Sequence, residues 1–205
     1  MPDLIQPVIP ENIRVHLGPP SSNAETVTVP FVDYIKNVAS SEIYPTWPEN
    51  ALRANIYAII TFALNRIYTE WYPSRGYDFD ITNSTQYDQA FVPGREIFEN
   101  INDIVNDIFD EYVVRNGSIQ PLFTQFCNGT TSTCQGLSQW GTVSLAEQGL
   151  TPYEILQRFY GGDISILTDT PVASVGESYP GEPLRLGTKP SVLLIIGVNG
   201  VGKTT

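Results

Sequence analysis

The chain opens on alternating positions. Ile13, Val15 and Leu17 share one side of residues 12–17, and Val27, Val29 and Phe31 share one side of residues 26–31. A period of two predicts strands, and the Gly18-Pro19-Pro20-Ser21-Ser22-Asn23 run between them supplies turn chemistry, so these segments read as a hairpin or two edge strands. The period then changes. Val32, Tyr34, Ile35, Val38 and Ala39 predict a short helix to Ser41, broken before Pro45 because proline disfavours helical backbone at Tyr44. Behind Pro48, a first-turn residue, Leu52, Ile56, Ile59, Ile60, Ala63, Leu64, Ile67 and Trp71 recur at three and four. Residues between them are apolar too, which predicts a central, buried helix.

A second long helix is expected from Arg95 to Arg115, with Ile97, Ile101, Ile104, Val105, Ile108 and Tyr112 inward. Its opposite face carries Glu96, Glu99, Asp103, Asp107, Asp110 and Glu111 and reads as solvated surface. Extended chain follows Gly117 and leads into a loop holding Cys127 and Cys134. Short helices are expected over 142–148, ending at Gly149, and from Thr151 to Tyr160. The second has a capping-box signature, with Thr151 at the cap, Pro152 in the first turn and Glu154 three residues on. The fold class is therefore α+β, a mainly helical domain with short strands at the N-terminus and around the cysteine loop. The divisions are an arm over 1–10, the domain over 11–168, a Pro/Gly linker over 169–186 and a distinct tail over 187–205.

Composition narrows the function. The 205 residues carry 23 aromatic side chains, and a chain of this size buries roughly 70% of its unfolded surface. The net charge of −11 excludes non-specific nucleic-acid binding, which depends on neutralising phosphates. No apolar run is long enough to span a bilayer, and Met1 to Arg14 shows no basic start followed by an apolar stretch. Cys127 and Cys134 fit a disulfide, free thiols or part of a metal site, and do not fix the compartment. The only histidine, His16, lies in the first strand and reads as a satisfied side chain.

The tail differs in kind. Its 19 residues carry +2 while the preceding chain carries −13. Gly197, Gly202, Lys203 and Thr204 fit the P-loop pattern behind an apolar run, in which backbone amides and a lysine hold phosphates and a hydroxyl ligates magnesium. Pro190 to Thr205 resembles the opening of the GTPase domain of the signal recognition particle receptor. Thr205 follows the motif directly, without the helix that would face a nucleotide, so the tail reads as a junction.

Two blocks in the body carry a second resemblance. The first runs from Val38 through Glu42, Pro45 and Trp47 to Ala54. The second runs from Gly136 through Ser138, Gln139, Trp140 and Gly141 to Tyr160 and Gly161. Together they resemble the stage II sporulation protein D family, lytic transglycosylases that cut peptidoglycan glycan strands. The resemblance implies Glu42 as the catalytic acid/base, peptidoglycan glycan strands and sporulation proteins as partners, and the cell wall or spore envelope as the setting. Trp47, Arg53, Ser138, Gln139 and Trp140 become candidate substrate contacts. No cofactor is implied. Some family members bind zinc near this cysteine pair, but with one histidine in the chain a disulfide or free thiols is the favoured reading, and no metal is assigned.

The residues are compatible with that role. Ile43, Tyr44 and Trp47 flank Glu42, and desolvation raises a carboxyl pKa. The plainer alternative is a surface carboxylate favoured by the dipole of a nearby helix N-terminus. One departure stands out. The family's Ala-Ala-Arg-Thr-Tyr run, counted from Glu42, falls on Ala58 to Phe62, with Ile60 in place of arginine; Arg53 and Arg66 are the candidate replacements. A glycan-binding module without turnover and a GTPase fragment are the alternative functions.

Overall fold

The computed structural model describes residues 7–173. The P-loop-like segment and most of the predicted linker lie outside the described residues.

Strand β1 (Asn12–His16) pairs antiparallel with β2 (Thr26–Pro30), with Val15 opposite Val27. The predicted hairpin is therefore present. A third strand, β3 (Ile81–Thr82), adds to β1 in parallel, giving the order β2-β1-β3. Helix α1 (Phe31–Glu42) follows β2 directly.

Helix α2 (Glu49–Tyr68) is the centre of the fold. Every residue from Ala54 to Arg66 is buried, as its all-round apolar pattern predicts. Its polar residues are satisfied internally. Asn55 donates to the Ala51 carbonyl and to Thr142 Oγ1, both at 2.8 Å, and Thr61 accepts from the Val113 amide at 2.9 Å.

The second long helix is shorter than its pattern suggests. Helix α3 (Glu99–Ile108) keeps Ile101, Ile104, Val105 and Ile108 inward, and Tyr112–Arg115 forms strand β4 instead. The physical reason is local. Tyr112, Val113 and Val114 are strand formers, and β4 finds a partner in β7 (Ile164–Leu167), pairing Tyr112 with Leu167. At the other end, Arg95 belongs to a turn. The acidic face is also less idle than expected. Asp107 accepts from Arg53 and Glu111 from Tyr57.

Strands β5 (Phe126–Cys127) and β6 (Leu137–Ser138) pair in parallel around the cysteine loop. Cys127 and Cys134 form a disulfide with Cα atoms 6.1 Å apart. Helix α4 (Gln139–Glu147) begins three residues earlier than predicted, because Ser138 caps it by accepting from the Gly141 amide at 3.0 Å. Helix α5 (Pro152–Tyr160) carries the complete capping box of Thr151 and Glu154. The folded unit also takes in residues assigned above to arm and linker. Ile9 is fully buried, donates to the Pro171 carbonyl and bridges to Val172.

The disulfide closes the short loop that joins β5 to β6, immediately before Gln139. Replacing both cysteines with serine is expected to cost about 2–3 kcal/mol of stability, measured as a lower urea midpoint. An unchanged midpoint would show that the bridge adds no constraint.

Candidate functional site

Glu42 is the last residue of α1. One carboxylate oxygen, Oε1, accepts from the Ala90 amide at 2.9 Å, and the other accepts from Gln139 Nε2 at 3.2 Å. Three distant segments thus meet at one half-buried carboxyl group. Burial raises its pKa, and the Ala90 and Gln139 hydrogen bonds, which favour the charged form, work against that rise. The helix contributes with the opposite sign to the one expected from sequence. Glu42 stands at a C-terminus, not an N-terminus, so the dipole disfavours the carboxylate.

An aromatic cluster begins two residues on. Trp47 and Trp140 meet edge to face with centroids 4.9 Å apart, and Tyr44 lies 5.6 Å from Trp47 and 5.8 Å from Trp140. Trp47 is buried and anchors the cluster, while Tyr44 and Trp140 remain 57% and 39% exposed. Each of these two side chains thus presents part of an apolar ring and a polar atom to water. Gln139 links the two parts, since its side chain reaches Glu42 and the next residue is Trp140. Its backbone is fixed as well. The Gln139 carbonyl accepts from Thr142 Oγ1 at 2.6 Å, and Thr142 is itself held by Asn55 of the central helix.

The segment that presents the Ala90 amide is anchored at successive residues. Arg66 donates to the Tyr87 carbonyl at 3.2 Å and pairs with Asp88 at 2.8 Å. The buried Asp88 carboxylate also accepts from Tyr72, the Thr82 amide and Thr82 Oγ1. Gln89, fully buried, donates to the Ile59 carbonyl and accepts from Tyr34. Asn37 on α1 then bonds both the amide and the carbonyl of Val92.

Of the predicted site residues, Gln139 thus touches Glu42, and Trp47 and Trp140 pack on each other. Ser138 serves as the cap of α4 and packs against Gly129, where an added Cβ would lie 1.9 Å from its Oγ. Arg53 is held by Glu49 at 2.8 Å and Asp107 at 2.5 Å, and Arg66 by Asp88. Ile60 is fully buried in the core. His16 is a satisfied side chain, with its ring nitrogens 3.1 Å from Thr26 Oγ1 and Ser22 Oγ and its face on Phe79. It lines a cleft of about 500 Å³ with Arg14, Tyr77 and Asp78, to which none of the Glu42 group belongs. Among the described residues, no three His, Cys, Asp or Glu side chains are grouped to hold a metal. The Ala90 amide was invisible in the sequence because a backbone donor has no residue signature. Tyr44 was visible only as a neighbour of Glu42.

Comparison with known proteins bears on the first of these blocks. Residues 21–109 match the family model of SpoIID, Stage II sporulation protein. The match takes in 89 of the 205 residues, and over that segment the chain is similar to the SpoIID family. The SpoIID match holds Glu42, Trp47 and Ala90 and ends before Gln139 and Trp140, which the fold delivers to Glu42 from outside it. An uncharacterized protein of Brachyspira hyodysenteriae is 28% identical over 106 residues, 51% of this chain. The chain spans about 28% of that relative's length.

Proposed function

We propose that this domain cleaves peptidoglycan glycan strands as a lytic transglycosylase, with Glu42 as its single general acid and base. The observation that carries the reading is the Glu42 carboxyl, raised in pKa and oriented by Ala90 and Gln139 beside exposed aromatic faces. Protonated Glu42 donates to the glycosidic oxygen as the C1–O bond breaks. The resulting carboxylate takes the proton of the muramic acid's own hydroxyl, whose oxygen bonds to C1 and closes an anhydro ring. A hydrolase of the usual kind needs two carboxylates flanking the bond. A lytic transglycosylase manages with one, because the same group gives up a proton and then takes one back. Tyr44 and Trp140 offer flat faces for sugar rings, and the disulfide supports work in an oxidising compartment such as the cell wall or spore envelope. The test is product analysis of glycan strands incubated with the wild-type chain and with Glu42→Gln, in which only the wild type should leave anhydro-muramic ends.

The pH dependence has a defined sign. The acid must be protonated, so activity falls as pH rises through the Glu42 pKa. Gln139→Leu removes a donor that favours the carboxylate, and so moves that alkaline limb to higher pH. The check is the pH profile of kcat for both proteins. A limb that stays in place would show that the Gln139 amide does not govern the Glu42 proton.

A further inference from the structure

The loop that the disulfide closes also serves the first turn of α4. A helix leaves its first backbone N–H groups without partners of its own. In α4 the Gly141 amide donates to Ser138 Oγ, and the Trp140 amide donates to the Asn128 carbonyl at 3.2 Å. Asn128 follows Cys127 directly. The next residue, Gly129, at φ +87°, lies against Ser138 with no room for a Cβ. Gln139 stands between Ser138 and Trp140, and its side chain donates to Glu42 at 3.2 Å.

Little besides the bridge holds this loop. Strands β5 and β6 share two residue pairs, fewer than an independent ladder needs. Thr130 to Thr133 and Gln135 are exposed. The bonds within the loop are local: the Thr130 and Thr131 amides donate to Asn128 Oδ1, and the Gly129 amide to the Ser132 carbonyl. A segment with so few buried apolar contacts opens readily. Cys127 and Cys134 are both half-exposed, within reach of a small dithiol. The body of α4 is anchored separately, since Asn55 of α2 donates to Thr142 at 2.8 Å. Loss of the bridge therefore loosens the start of α4 and leaves the fold.

We infer that the Cys127–Cys134 bridge is a redox-sensitive positioning element, which in its oxidised form seats the start of α4 and so holds the Gln139 side chain on Glu42. A dithiol opens it by thiol–disulfide exchange. The Cys127–Cys134 S–S bond breaks and an S–S bond forms within the reductant. Two electrons and two protons pass to the cysteines, leaving two thiols. The site is thus fully assembled only in an oxidising compartment. Besides burial, the groups acting on the Glu42 proton are the Ala90 and Gln139 amides, and Tyr34 of α1 feels the Glu42 charge. Of these, only Gln139 is seated by the loop. The consequence for cleavage rests on the glycan reading, whereas the positioning itself does not.

The test follows the Glu42 carboxyl by carboxyl-carbon NMR in the full chain, before and after reduction with excess dithiothreitol, with circular dichroism to monitor the fold. Gln139 favours the charged form, so its release should make Glu42 a weaker acid by about threefold to tenfold, the change one hydrogen bond makes. Reoxidation should restore the first titration. The double variant Cys127→Ser, Cys134→Ser should titrate like the reduced chain and ignore the dithiol. In Gln139→Leu, reduction should cause no further change. Gly129→Ala should reproduce the shift with the bridge intact, because the added methyl displaces the loop from Ser138. An unchanged Glu42 titration in the reduced, folded chain would overturn the inference and leave the bridge purely structural. A bridge that resists the dithiol, or a domain that unfolds without it, would overturn it too. In cleavage assays the alkaline limb should move with the Glu42 titration. A chain that cuts no strand while Glu42 still responds to reduction would sink the glycan reading and support the positioning.

Discussion

Glu42→Gln is expected to lower strand cleavage by at least about 10²–10⁴-fold, the range attributed to a positioned acid or base. Strand affinity should stay within a few-fold of wild type. The substitution keeps the shape of the side chain and an oxygen for the Ala90 amide. The facing Gln139 amide can turn over to present its carbonyl to the new N–H donors. Stability should not fall either. The folded state raises the Glu42 pKa, so it holds that proton more tightly than the unfolded chain does. The favourable contribution is therefore present below the unfolded-state pKa and is lost as pH rises through the folded-state value. At neutral pH the carboxylate opposes folding, and the neutral amide removes that opposition. Single-turnover kinetics, strand titration and thermal unfolding at pH 7 check the three parts. Undiminished cleavage by Glu42→Gln would remove Glu42 from the chemistry.

Arg66→Met is expected to cost about 3–5 kcal/mol, the range for removing one partner of a buried ion pair. The Arg66 and Asp88 side chains are 7% and 0% exposed. The guanidinium also lies 4.5 Å from the Trp71 ring centre, 4.9 Å from Phe62 and 5.3 Å from Phe123, so its loss removes packing as well as charge. Asp88 would keep Tyr72 and Thr82 as donors but remain a buried, uncompensated carboxylate. For a domain of this size the loss corresponds to a fall in Tm of roughly 10 °C. Arg66→Lys should recover only part of it, because an ammonium cannot reproduce the fork that reaches both Asp88 and the Tyr87 carbonyl. The effect extends to Glu42, since the same segment presents the Ala90 amide. A Tm within about 2 °C of wild type would show that the pair carries little stability.

Much of this architecture was legible in residue order. Period two gave the β1–β2 hairpin, and the all-round apolar run gave α2. Thr151, Pro152 and Glu154 gave the start of α5. What was not legible depended on partners. Tyr112 to Arg115 continue a helical stripe in sequence, and become a strand only because Ile164 to Leu167 lie beside them. Two-residue strands such as β3 and β5 have no period to detect. The site divides in the same way. Glu42, Trp47, Gln139 and Trp140 were named from residue blocks, and the fold brings them together across about a hundred residues of chain. Arg53 and Ser138 were reasonable by position, but their bonds are to Glu49, Asp107 and Gly141. The Ala90 amide emerges only from the path of residues 82–98 over α1.

The most direct measurement is mass spectrometry of purified glycan strands after incubation with the wild-type chain. The reading of Glu42 as sole acid and base predicts fragments one water lighter than hydrolysis products, ending in anhydro-muramic acid and absent with Glu42→Gln. Fragments with ordinary reducing ends would require a second group to activate water. Intact strands bound to folded wild-type protein would contradict catalysis and leave a wall-binding module.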